Sequence, residues 1–147
     1  MQINKVLNLD CTLSTVQCSS KKRALELISE LVAKQLDTSA QTIFESLLNR
    51  EKMGSTGIGQ GIAIPHGRID NQHQATAVFL RCDPAISFDA IDNKPVDLVF
   101  ALLVPEDQCK QHLNTLSQVA EKLNDKLVCK QLRNAQSDDE LYDIMVA

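Results

Sequence analysis

Residues 96–104 read Val-Asp-Leu-Val-Phe-Ala-Leu-Leu-Val, and the part from Leu98 to Val104 is the longest uninterrupted apolar run of the 147-residue chain. A short apolar run of this kind is typical of a buried β-strand. It is far shorter than the roughly 20 residues that a membrane-spanning helix needs. We therefore expect a central sheet built around this segment and no membrane insertion.

Other stretches with strand character precede this run. Residues 75–82 are rich in Val, Leu and Phe, and residues 85–88 alternate in polarity, so each is predicted as a separate strand. Residues 62–64 form a short apolar strand, which we expect to lie between two loops, residues 54–61 and 65–68. The middle of the chain is thus predicted to form a sheet.

Helices are predicted on both sides of this region. Residues 20–36 have apolar side chains at helical spacing after Ser20, and Ser39 is expected to cap a second helix that ends near Arg50. A third helix is expected after Pro105, and Ser137 is expected to open a last one. The third helix should carry one apolar face made of Cys109, Leu113, Leu116, Ala120 and Leu123. Since helices and strands do not alternate, we predict a single α/β domain over residues 1–147 (α+β in some schemes), with a mixed sheet flanked by helices.

Composition excludes several classes of function. Fifteen Lys and Arg against 19 Asp and Glu give a net charge of −4, with no basic stripe for a nucleic acid backbone. The five cysteines form no Cys-x-x-Cys pair, which favours reduced thiols over disulfides or a zinc site. Residues 1–5 contain no apolar leader segment, so we expect a cytoplasmic protein.

The glycine-rich segment Gly54-Ser-Thr-Gly-Ile-Gly-Gln-Gly61 does not fit a nucleotide-binding motif. In a P-loop, the Lys and Ser/Thr positions would fall on Gln60 and Gly61. A dinucleotide fingerprint fails as well, because its third glycine would fall on Ile62 and the loop follows a helix rather than a strand. A plain turn and an anion-binding loop both remain open.

His66 is the candidate reactive residue. Pro65 restricts the backbone before it, and Gly67 is permissive after it, so the imidazole is displayed at a defined position. A histidine with a pKa near 6.5 keeps a neutral nucleophilic nitrogen at cytoplasmic pH, as phosphoryl acceptance requires. A polar loop histidine without a function is the alternative for Pro-His-Gly alone.

The surrounding residue types suit phosphoryl chemistry, which needs oriented donors around the equatorial oxygens. Arg50 can supply a bidentate guanidinium, Ser55 and Thr56 can supply hydroxyls, and His112 lies at the edge of the buried face of the helix after Pro105. The alternatives are a solvated helix end for Arg50 and a partly packed histidine for His112.

The segment from Arg50 to Arg68 resembles the signature of the fructose/mannitol-type enzyme IIA domains of the bacterial phosphoenolpyruvate phosphotransferase system, and most closely their nitrogen-regulatory branch. Further segments resemble the same branch, so the likeness covers nearly the whole chain. They are residues 20–26, 88–93, 95–98, 102–105 and 136–138.

This resemblance implies a mixed sheet of about five strands and a phosphoryl carrier that needs neither a cofactor nor a metal. His66 matches the phosphorylated histidine, as a tele-phosphohistidine, although the residues alone do not choose the ring nitrogen. Arg50, His112, Ser55 and Thr56 match the residues that stabilise the phosphoryl group. The loop backbone of the site is matched by Gly57, Gly59, Gly61 and Gly67.

The implied donor is an HPr-like histidine phosphocarrier charged from phosphoenolpyruvate through an enzyme I. The implied output is regulation of nitrogen and potassium metabolism, through targets such as potassium-transport proteins or sensor kinases. The targets of this chain and its oligomeric state are left open.

Three alternatives remain. A sugar-specific enzyme IIA would pass its phosphoryl group to an enzyme IIB. A non-catalytic regulatory module would use the glycine loop for binding alone. A metal site on His66, His73 and His112 is disfavoured, because no Cys or carboxylate lies at a recognised ligand spacing.

Overall fold

The computed structural model describes residues 3–147, so the first two residues of the N-terminal segment 1–5 lie outside the description. Within this range the chain forms a mixed sheet of six strands with six α-helices. The strands are β1 (Thr12–Val16), β2 (Gly57–Gly59), β3 (Ile62–Ala63), β4 (His66–Ile69), β5 (Thr76–Ile86) and β6 (Val96–Pro105). The helices are α1 (Ile3–Val6), α2 (Lys21–Leu36), α3 (Ala40–Lys52), α4 (Cys109–Leu123), α5 (Lys126–Arg133) and α6 (Asp138–Val146).

Strand β6 organises the sheet, as the apolar run predicts. It pairs antiparallel with β5 on one side and parallel with both β3 and β4 on the other. Beyond these, β1 runs parallel to β5, and β2 runs antiparallel to β3. Residues 98–103 of β6 are completely buried, because helices cover both faces of the sheet.

The two faces of the sheet bury two separate cores. Side chains alternate along β5 and β6, so Val99 and Ala101 face α2 and α3, whereas Phe100 and Leu102 face α1, α4, α5 and α6. Phe79 and Phe100 meet in the second core with ring centroids 6.0 Å apart. Each fully buried large apolar side chain stabilises the fold by about 1.5–3 kcal/mol.

The predicted helices are confirmed with their caps. The hydroxyls of Ser20, Ser39 and Ser137 accept from backbone N–H groups three residues later, which satisfies donors that a helix start leaves unpaired. The predicted apolar face of α4 is partly wrong, because Leu113 is 62% exposed.

Other local predictions need correction. Residues 65–68, expected as a loop, include the first three residues of β4. Residues 85–88 are not a separate strand, because β5 continues to Ile86. The helices α1 and α5, the strand β1 and the short strand β2 inside the glycine segment are not predicted from the sequence. The sheet thus has six strands rather than about five, since short segments gain hydrogen bonds from distant partners that local propensity does not reveal.

Candidate functional site

The end of α3 and the start of β4 bring Arg50 and His66 together. Pairing with β6 positions His66 opposite Leu102, and the Leu102 N–H donates to the Pro65 carbonyl at 3.0 Å. Ser46, one helical turn before Arg50, accepts from the Arg68 N–H at 2.8 Å and fastens α3 to β4. The guanidinium Nε of Arg50 then donates to His66 Nε2 at 3.2 Å.

The partners of His66 define its tautomer. Its Nδ1 lies 3.1 Å from the Ile64 carbonyl, which can only accept, so Nδ1 carries the proton. Its Nε2 accepts from Arg50 and therefore presents a lone pair. The nucleophilic nitrogen of the neutral ring is Nε2, and it faces the guanidinium.

His66 opens into a cleft of about 480 Å³ between α3, β4 and α4. Arg50, Arg68 and His112 also line it, and none of the described residues that line it is acidic. Met53, 83% exposed, and Leu113, 62% exposed, form an apolar rim. The cleft therefore combines positive charge with an apolar border, which suits an anionic group carried by another protein.

His112 is positioned by its own helix. It is half-buried in α4, and its Nδ1 lies 3.1 Å from the hydroxyl of Thr115, which is 1% exposed. The structure thus brings His112 to the same cleft as His66 and Arg50, as the sequence-based hypothesis expects.

Ser55 and Thr56 have other partners than those expected. The Ser55 hydroxyl donates to the Phe88 carbonyl at 2.6 Å and accepts from the Gly57 N–H at 3.0 Å. The Thr56 hydroxyl bonds to the buried carboxylate of Glu51. Neither residue lines the cleft, and both hydroxyls bond within or beside the loop, so their contact with a phosphoryl group stays a prediction.

The four glycines expected at the site lie in different parts of the structure. Gly57 and Gly59 belong to β2, and Gly61 lies in the turn to β3, where a Cβ would come within 2.8 Å of Asp97 and 2.7 Å of Arg133. Of these four, only Gly67 lines the cleft. A Cβ there would lie 2.7 Å from Ser46 Oγ, so glycine permits the close approach of β4 to α3.

Two supporting residues were missed, although the sequence contains a signal for each. Ser46 precedes Arg50 by one helical turn, which places both on the same side of α3. Glu51 continues the i, i+4 series Ile43 and Leu47 and is only 8% exposed. A carboxylate at a core position of an amphipathic helix indicates a buried polar contact.

Three further features of residues 3–147 concern His73, metal ligands and membrane-spanning helices. His73 lies outside the cleft and lines a separate cavity of about 160 Å³. Across these residues no group of three or more His, Cys, Asp or Glu side chains could hold a metal ion. No helix in the same range is long and apolar enough to cross a bilayer.

Comparison with known proteins identifies the family. The family model described as phosphoenolpyruvate-dependent sugar phosphotransferase system, EIIA 2, matches residues 5–147. The chain belongs to this family. Its members are phosphoryl carriers.

Individual relatives agree with this assignment. The nitrogen regulatory protein of Klebsiella oxytoca is 62% identical over 146 residues, which cover 99% of this chain and 90% of that protein. The crystal structure of the nitrogen regulatory protein IIA-Ntr from Neisseria meningitidis superposes with a TM-score of 0.93 at 41% identity, covering 99% of both chains. IIA mannitol from Escherichia coli shares the fold at a TM-score of 0.75 and 19% identity, over 94% of this chain and 97% of that chain. The chain is thus a phosphotransferase-system enzyme IIA similar to the nitrogen regulatory proteins.

Proposed function

We propose that His66 Nε2 reversibly accepts a phosphoryl group from an HPr-like histidine phosphocarrier, in the cytoplasm. The observation that carries the proposal is the hydrogen-bond pattern of the ring, with Nδ1 donating to Ile64 and Nε2 facing Arg50. The Nε2 lone pair attacks the phosphorus of the donor phosphohistidine. The phosphorus–nitrogen bond of the donor breaks, and its electron pair remains on the donor imidazole.

Arg50 and His112 stabilise the transferred group in this proposal. The lone pair that accepts from Arg50 is consumed when the new bond forms, so the Arg50 Nε–H becomes available to a phosphoryl oxygen. His112 donates from the opposite wall of the cleft. Charge-assisted donors of this kind stabilise the oxygens during transfer.

The phosphorylation state is the proposed output, acting on regulatory targets in nitrogen and potassium metabolism such as potassium-transport proteins or sensor kinases. The names of the relatives at high identity support this branch over a sugar-specific enzyme IIA. The exposed Met53 and Leu113 beside the cleft provide apolar contact area for the phosphocarrier. In the unphosphorylated protein, the same surface binds the regulatory targets.

Intact mass spectrometry after incubation with phosphoenolpyruvate, enzyme I and a histidine phosphocarrier tests the proposal. We expect one acid-labile phosphoryl group on the wild type and on His73→Ala, the matched control outside the cleft, and none on a folded His66→Ala. Adding an enzyme IIB tests the sugar-specific alternative, because rapid loss of the label to IIB would favour it. No added mass from an active donor would favour a pure binding module.

A further inference from the structure

Glu51 is a buried carboxylate that follows Arg50 in the chain. Its side chain is 4% exposed, and Lys21 Nζ lies 2.9 Å from its Oε2. It also accepts from the Thr56 N–H, at 3.2 Å to Oε1, and bonds to the Thr56 hydroxyl. The carboxylate therefore joins the start of α2, the end of α3 and the loop before β2.

Lys21 forms its closer ion pair with Glu51. Its ammonium lies 3.5 Å from Asp89, whose side chain is 82% exposed, and 5.1 Å from the ring centroid of Phe88. The partner in the interior is Glu51, because an exposed carboxylate is largely screened by water. A buried pair of this kind is costly to break on one side only.

The same loop fixes the guanidinium of Arg50. Arg50 Nη1 donates to the Gly54 carbonyl at 2.8 Å, while its Nε donates to His66 Nε2 at 3.2 Å. Glu51 contacts the loop on both sides of the Gly54 carbonyl. The backbone carbonyl of Glu51 accepts from the Gly54 N–H at 3.1 Å, and the carboxylate of Glu51 accepts from the Thr56 N–H. The Gly54 carbonyl that accepts from Arg50 thus lies in a segment that Glu51 contacts at both ends.

We propose that Glu51, paired with Lys21, is a positioning residue for phosphoryl transfer: it holds the Gly54–Thr56 loop so that the Gly54 carbonyl aims Arg50 at His66 Nε2. The inference rests on the proposed function only in giving Arg50 a role in transfer. The orientation of Arg50 in the resting protein does not depend on any phosphoryl donor.

The main test is the double variant Lys21→Met, Glu51→Met, which removes both charges and keeps apolar bulk, so that no unpaired buried charge remains. We expect a folded protein whose maximal rate of phosphoryl transfer falls about tenfold or more, since small misplacements at a reacting centre have large effects. The KM for the phosphocarrier should change little, because Met53 and Leu113 remain in place. Asp89→Asn is the matched control and should transfer at the wild-type rate.

A second readout follows Arg50 itself by NMR. In the wild type, the Arg50 Nε–H should exchange slowly with water, and in the double variant it should exchange faster. Thr56→Val leaves the Lys21–Glu51 pair intact. Relative to the wild type, it should speed the Arg50 Nε–H exchange and slow phosphoryl transfer, each by a smaller amount than the double variant does. This variant provides the test if the double variant does not fold.

Wild-type transfer and unchanged Arg50 exchange in the folded double variant, or in Thr56→Val, would overturn the positioning role. A wild-type protein that accepts no phosphoryl group would instead contradict the proposed function, and Arg50 exchange would still decide the positioning role.

Discussion

At the scale of single residues, the hydrogen bonds of His66 and Arg50 determine which of their atoms can take part in phosphoryl transfer. The Ile64 carbonyl keeps the His66 proton on Nδ1, and Arg50 faces the remaining lone pair on Nε2. The two bonds of Arg50, to His66 and to Gly54, come from different nitrogens of one planar group. A lysine cannot reproduce this geometry, because it presents a single point charge on a flexible stem.

Arg50→Lys is therefore expected to slow phosphoryl transfer about tenfold to a hundredfold. The free energy of unfolding should fall by about 1–2 kcal/mol, since the hydrogen bonds to the Gly54 carbonyl and to His66 are both weakened. Rapid-quench transfer from the phosphocarrier and urea unfolding measure the two effects. Arg23→Lys, an exchange in an exposed ion pair of α2, is the control and should leave both quantities unchanged. A wild-type transfer rate in Arg50→Lys would show that the guanidinium geometry is not used.

At the scale of elements, the junction of α3 with β4 determines how close Arg50 comes to His66. Ser46 from α3 accepts the Arg68 N–H, and Gly67 of β4 lies against the same hydroxyl. This packing leaves no room for a methyl group at position 67, because its carbon would lie 2.7 Å from Ser46 Oγ and 3.3 Å from Ser46 Cβ.

Gly67→Ala should consequently destabilise the fold by about 1–3 kcal/mol, the usual cost of overpacking. Combining it with Ser46→Ala removes the closest clash, so the double variant should be less destabilised than the sum of the two single variants predicts. Thermal or urea unfolding of all four proteins measures the coupling. Strict additivity would mean that the strand moves away from the helix without hindrance.

The sequence predicts elements well where their determinants are local. The caps at Ser20, Ser39 and Ser137, with apolar residues at helical spacing, define α2, α3 and α6. Strands β1 and β4 are not predictable in this way, because their hydrogen-bond partners lie in β5 and β6.

The same distinction between local and distant determinants applies to the residues of the candidate site. His66 is predictable as a candidate residue because its immediate neighbours, Pro65 and Gly67, restrict and permit specific backbone conformations. The partner of Ser55, the Phe88 carbonyl, lies 33 residues further along the chain. A hydroxyl inside a glycine loop is therefore compatible with ligand contact and with loop support until the fold is known.

At the scale of the whole molecule, the thiols make stability depend on pH. Burial raises the pKa of Cys82 to about 12 from its ordinary value of 9.0, and it also raises the pKa values of Cys11, Cys18 and Cys129. Between about pH 9 and pH 12 the unfolded thiol at position 82 has lost its proton while the folded one retains it. The unfolded state then binds fewer protons, so the free energy of unfolding falls as the pH rises.

Cys82→Val should weaken this dependence. Between pH 8 and pH 10 the wild type should lose more stability than the variant, by up to about 1.4 kcal/mol for each pH unit above 9. Urea unfolding at both pH values in the presence of a reductant measures the difference. Equal losses in the two proteins would show that the Cys82 thiol does not contribute.

The central claim, that His66 accepts the phosphoryl group on Nε2, is tested most directly by long-range proton–nitrogen NMR of the ¹⁵N-labelled protein before and after phosphorylation. We expect a His66 ring protonated on Nδ1 in the resting protein. Phosphorylation should then shift the Nε2 signal and couple it to ³¹P. A phosphoryl group on Nδ1, or on another residue while the His66 signals stay unchanged, would contradict the account.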